Sequence, residues 1–240
     1  MKQKNITSRL DKYLSNCGYG TRSQTTRLIK KGIVTVNGER VQKASHKVHS
    51  DDEVRVDEVV AVAEPPVFLW HKPVGVHSTI GDPLGRLSIT ECEPNALLPR
   101  YHPVGRLDAD TSGLLLFSKL GALTQRLLHP KHEIPRRYCA TSVLSFTDVQ
   151  RAAIESGVET SLGVFSGRVT RLEGKTVELI VTEGKHRMVR RMLANVQRPV
   201  ETLTRLEYGP FSLGELPLGE LRPPTDTEWM VAQTMGLPGF

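Results

Sequence analysis

Leu10, Tyr13, Leu14 and Cys17 recur at spacings of three and four, so the chain opens on an amphipathic helix that Gly18 closes. Thr21 or Ser23 is placed to cap a second helix, which carries Leu28 and Ile29 and stops at Gly32. The period then changes. Ile33–Val36 and Glu39–Val41 flank Asn37-Gly38, the pair preferred in a tight primed turn because both central residues need positive φ. Alternation resumes over Glu53–Asp57. Two short helices and a small sheet predict a compact module over residues 1–60. Val59–Pro66 ends in two prolines, which disfavour helix and stiffen the chain, and residues 61–66 are expected as a linker. From Val67 onward, strands such as Leu114–Phe117 and Thr176–Val181 mix with helical stretches such as Leu120–Leu128 without a βαβ rhythm. This predicts an α+β domain over residues 67–240, built on a largely antiparallel mixed sheet.

Charge sharpens the division. Residues 1–47 hold eleven basic and two acidic side chains, residues 48–66 one basic and six acidic, and the remainder is nearly balanced. A basic block that folds points to a polyanion partner. On the second helix, Arg22, Arg27, Lys30 and Lys31 are basic, with Arg27 and Lys31 four apart on one face. Arg9 and Lys12 add charge from the first helix, giving a surface suited to phosphates. Cys17, Cys92 and Cys139 are scattered and odd in number, which indicates neither a disulfide framework nor a zinc knuckle. His129, His132 and Cys139 have no common zinc spacing, so no metal is expected. There is no run of eighteen apolar residues and no signal-peptide core. A monomer without a membrane partner is expected, in the cytoplasm or as a processed organellar protein.

Three segments carry candidate chemistry. In Gly105–Gly113, Arg106, Asp108 and Asp110 sit in a Gly-bounded loop feeding directly into an apolar strand, so a carboxylate is held at the end of a core element. On residues alone, either Asp serves equally well as a brace of the turn. After Gly184, Met188, Val189, Met192 and Leu193 form the apolar stripe of a helix. Arg190, at the stripe's edge, can reach a buried carboxylate, while Arg187 and Arg191 read as an exposed basic face. In Arg136-Arg137-Tyr138, the tyrosine can stack on a base while the cations hold phosphate. A core tyrosine is the competing reading.

Arg9-Leu10-Asp11, Arg22-Ser23 and Gly32–Gly38 resemble the alpha-L RNA-binding module first described in a small-subunit ribosomal protein, over residues 7–56. The loop at Asp108, Tyr138, the helix after Gly184 and His71-Lys72-Pro73-Val74-Gly75-Val76 together resemble the pseudouridine synthases. Within that family they resemble the small-subunit-type branch that modifies ribosomal RNA and carries such a module. The resemblance implies the pseudouridine synthase fold, structured ribosomal RNA in an assembling subunit as partner, and no cofactor. It implies that Asp108 is the nucleophile, that Arg190 pairs with it, and that Tyr138 stacks on the target base. Arg106 is implied to contact RNA at the flipped nucleotide; Arg187, on the exposed basic face, is itself expected to bind RNA. His71, Arg136 and Met188 depart from the family's usual Asn, Lys and Gln. A non-catalytic RNA-binding factor on the same scaffold is the competing reading.

Overall fold

The computed structural model describes residues 8–49, 51–97 and 100–237; residues 1–7 of the expected module and 238–240 of the expected second domain lie outside them. The chain divides between Pro65 and Pro66 into two compact units.

The first unit is built as the periodicity requires. Leu10 and Leu14 of the Leu10–Asn16 helix meet Ile29 of the Arg22–Lys30 helix in one core with Val34, Val36, Val54 and Val56. Thr21 caps the second helix reciprocally: its hydroxyl accepts the Gln24 N–H, and the Gln24 side chain accepts the Thr21 N–H at 2.7 Å. Asn37 (φ 52°) and Gly38 (φ 82°) make the turn between Val34–Val36 and Glu39–Arg40. Val54–Val56 pairs with Val34–Val36 and then with Val59–Val60, giving a four-stranded sheet. Part of the stretch expected as linker is bound to this unit. Ala61 is buried in its core, the Ala61 carbonyl accepts the Tyr13 hydroxyl at 2.9 Å, and the Glu64 N–H donates to Asn16 O at 3.2 Å.

The second unit is an α+β domain on one mixed sheet. Among the described residues the strand order is Arg168–Glu173, Thr176–Val181, Arg136–Ser142, Val200–Tyr208, Ser112–Ser118, Val67–Lys72, Leu221–Arg222, with His102–Pro103 and Phe211–Ser212 paired at the side. Every pairing is antiparallel except that of Val200–Tyr208 with Ser112–Ser118. At this parallel junction Gly113 (φ 105°) lies opposite Arg205, so close that a Cβ would overlap the Arg205 backbone.

The Leu114–Phe117 run reflects a strand covered on both faces. Leu115 and Phe117 join Trp70 and the Met188, Val189, Met192, Leu193 stripe in one core. Leu114 and Leu116 join Leu69, Leu123, Leu127 and Phe211 in the other. Each such side chain contributes about 1.5–3 kcal/mol on burial. The strand beginning at Ser112 is therefore a rigid base for the loop that precedes it.

Candidate active site

Backbone hydrogen bonding fixes the loop before that strand. Five consecutive carbonyls are occupied. Leu107 O accepts from Ser78 Oγ (2.8 Å), Asp108 O from Thr111 N–H (3.0 Å) and Ala109 O from Gly75 N–H (2.7 Å). Asp110 O accepts from Arg190 Nη2 (2.6 Å) and Thr111 O from Lys72 Nζ (2.9 Å). Such a loop cannot relax one residue at a time, which suits a group that must be held in one geometry.

Its two carboxylates are treated differently. Asp110 accepts two bonds from Arg187, at 3.0 and 2.8 Å, and this pairing lowers its pKa below the ordinary value, against a smaller opposing effect of burial. Asp108 faces a cleft of about 310 Å³ also lined by Arg106, Tyr138, Lys185 and Arg187. Among the described residues its carboxylate has neither ion pair nor hydrogen bond, though Lys72, Arg187 and Arg190 are near enough to interact with it through space.

The expected pairing of Arg190 with Asp108 is corrected. Arg190 bonds Asp110 O and Val200 O (3.3 Å), and its Nε lies 3.3 Å from Asp110 Oδ2, an ionic contact without hydrogen-bond direction. These contacts hold the guanidinium against residues 110 and 200, and it makes no ion pair or hydrogen bond with the Asp108 carboxylate. Arg187, read as an exposed basic side chain, instead carries the bidentate bond to Asp110 from a left-handed backbone position (φ 54°) just before the Met188–Asn195 helix. Arg191 bonds Ser161 Oγ at 2.6 Å.

Tyr138 is buried in the Arg136–Ser142 strand, belongs to the core, and also lines the cleft. Its two cationic neighbours are not available to phosphate as expected. Arg136 is buried, donates to the carbonyls of Leu127, Ile134 and Thr182, and stacks over the Tyr208 ring at 4.6 Å. Arg137 is held by Glu178 (2.8 Å) and Glu207 (2.5 Å) on neighbouring strands. Arg106 is exposed at the cleft. Of the departures from the family pattern, Met188 lines the cleft, while the His71 ring is bound at Nδ1 to Leu216 O (2.7 Å).

Lys72, which follows His71 at the end of its strand, is fully buried beneath the loop. Burial lowers its pKa to about 8, partly offset by Asp108 and Asp110. The available signal is a lysine two residues after Trp70, hence on the same face, in a strand buried to its end.

In the first unit, Lys12, Arg27, Lys30 and Lys31 are exposed. Arg9 (3.0 Å) and Arg22 (2.9 Å) both contact the buried Asp11 carboxylate, which holds the two helices' N-terminal ends together and keeps part of each cation at the surface.

Residues 66–195 match the family model described as RNA pseudouridylate synthase, and residues 8–54 match the S4 domain. The chain belongs to the RNA pseudouridylate synthase family, enzymes that isomerise uridine to pseudouridine, and carries an N-terminal RNA-binding S4 domain. It is 34% identical over 228 residues to the ribosomal large subunit pseudouridine synthase B of Bacillus subtilis, covering 92% of this chain and 93% of that protein. It is 37% identical over 225 residues to an uncharacterized RNA pseudouridine synthase of Mycobacterium tuberculosis, covering 89% and 88%. A solved structure described as a pseudouridylate synthase superposes with a TM-score of 0.63 at 31% identity, covering 92% of this chain and 97% of that one.

Proposed function

We propose that this protein converts a specific uridine of ribosomal RNA to pseudouridine, with Asp108 as nucleophile and no cofactor. The relative named for the large ribosomal subunit supports large-subunit RNA as the substrate. The observation carrying the assignment of Asp108 is the contrast within its loop. Asp110 is paired with Arg187, while Asp108, whose carboxylate has no bonding partner among the described residues, lines the cleft together with Tyr138.

The reaction breaks the bond from ribose C1′ to uracil N1 and makes one from C1′ to C5; the proton leaves C5 and N1 gains one. Uridine must first leave its stack, at a cost of about a few kcal/mol that protein contacts must offset. Arg106 occupies the rim for contact with the displaced backbone, and Tyr138 lies within the cleft for stacking on the base. Attack requires ionised Asp108. Lys72, Arg187 and Arg190 lie near enough to interact with it through space, and among the described residues none bonds its oxygens. The detached uracil must be retained at the site and water kept from competing for it.

Incubation with unmodified ribosomal RNA, followed by carbodiimide-stop mapping, tests this proposal. Wild type should create a stop at a defined uridine, and Asp108→Asn should bind the RNA without creating it. A non-catalytic binding factor would create none with either protein.

A further inference from the structure

We propose that Ser78 is a positioning residue for Asp108, fixing the backbone one step before the nucleophile through a two-way hydrogen bond. The proposal rests on the reading of Asp108 as nucleophile. Ser78 Oγ donates to Leu107 O at 2.8 Å and accepts the Leu107 N–H at 3.1 Å. One hydroxyl thereby satisfies both backbone groups of a residue that has no strand neighbour there. Ser78 is 6% exposed and Leu107 likewise 6%, so water is a poor substitute.

The tie belongs to a larger strap. Lys72, Gly75 and Ser78 bind the carbonyls of Thr111, Ala109 and Leu107 in turn, so the segment runs antiparallel to the loop. It spends three residues for every two of the loop, and Gly75 absorbs part of the difference with a φ of 84°. The strap's outgoing end is anchored separately, His77 N–H donating to Leu87 O at 2.8 Å. Asp108 lies between the Ser78 and Gly75 ties.

Because no side chain among the described residues bonds the Asp108 carboxylate, the backbone on either side must aim it. A misplacement of about 1 Å at a reacting atom costs on the order of 100-fold in rate. Ser78 therefore acts on the chemical step, without touching RNA.

The test uses full-length wild type, Ser78→Ala, Ser78→Thr, Ser78→Cys and Asp108→Asn with unmodified ribosomal RNA. Single-turnover pseudouridine formation, RNA affinity and melting temperature are measured for each. Ser78→Ala should bind RNA within about twofold of wild type yet react ~10- to 100-fold more slowly at saturating enzyme. Ser78→Thr, which keeps the hydroxyl, should recover most of that rate. A purely structural role would lower the melting temperature and leave the rate of folded protein intact, which would overturn the proposal. So would Ser78→Thr reacting no faster than Ser78→Ala. Should Ser78→Ala fail to fold, Ser78→Cys decides: its weak donor and acceptor should give a slowed rate, and a wild-type rate would overturn the proposal. Turnover by Asp108→Asn would instead overturn the nucleophile assignment. An inert Asp108→Asn beside a fully active Ser78→Ala would overturn the positioning role alone.

Discussion

Truncation of Arg190 to alanine removes the guanidinium that joins the Met188–Asn195 helix to the Gly105–Gly113 loop. It deletes the 2.6 Å bond to Asp110 O, the 3.3 Å bond to Val200 O and the 3.3 Å ionic contact with Asp110 Oδ2. A hydrogen bond to a charged group contributes about 1.5–3 kcal/mol, and only the first of these is short. Breaking a buried ion pair costs ~3–5 kcal/mol, mostly from the stranded partner. That part is largely absent here, since Asp110 keeps Arg187 and its side chain is 46% exposed. The expected loss is therefore ~2–3 kcal/mol. At about 2–4 °C per kcal/mol for a domain of this size, calorimetry should show melting lowered by ~4–12 °C. With Asp110 O released, single-turnover pseudouridine formation should fall by roughly 10- to 100-fold. Arg187→Ala breaks a pair exposed at both ends and should cost less than ~1 kcal/mol. Arg190→Ala melting and reacting like wild type, or Arg187→Ala proving the more damaging, would refute the assignment of Arg190 as the loop's anchor.

Three further outcomes are expected. Asp110 has a lowered native pKa, so its contribution to stability is complete above its unfolded value and is lost as pH falls through the lowered native one. Urea melts of Asp110→Asn should accordingly show a weaker acid dependence than wild type below about pH 4. Gly113→Ala should cost ~2–4 kcal/mol or yield insoluble protein, because a Cβ at φ 105° would come within 2.5 Å of Arg205 N at the parallel junction, a change that solubility and calorimetry will read. The double variant Arg27→Ala/Lys31→Ala should weaken RNA binding and reduce the slope of log affinity against log salt by ~1–2, since both cations are exposed on one helix face.

The elements were legible wherever one local rule decided them. The Leu10, Leu14 and Ile29 pattern, the Asn37-Gly38 turn and the Met188–Leu193 stripe each follow from period or turn chemistry, and each recurs in the structure. The bonds among candidate residues were less legible because they are set by pairings distant in sequence. Arg190 and Asp110 are eighty residues apart, and which oxygen the guanidinium reaches depends on the Val200–Tyr208 strand lying beside Ser112–Ser118. Arg136 and Arg137 differ for a related reason. Strand alternation sends Arg136 into the core against Tyr208 and Arg137 outward between Glu178 and Glu207, and the adjacent pair in sequence conceals that split. Lys72 and Ser78 escaped because their partners are backbone carbonyls, which leave no mark in a sequence.

The most direct measurement is a carbodiimide-stop map of ribosomal RNA from a strain lacking this protein, complemented with wild type or with Asp108→Asn. A uridine-specific stop should vanish in the deletion strain and return with wild type alone, while Asp108→Asn is expressed and still binds the RNA. Restoration of the stop by Asp108→Asn, or a map unchanged by the deletion, would contradict Asp108 as the nucleophile of a ribosomal RNA pseudouridine synthase.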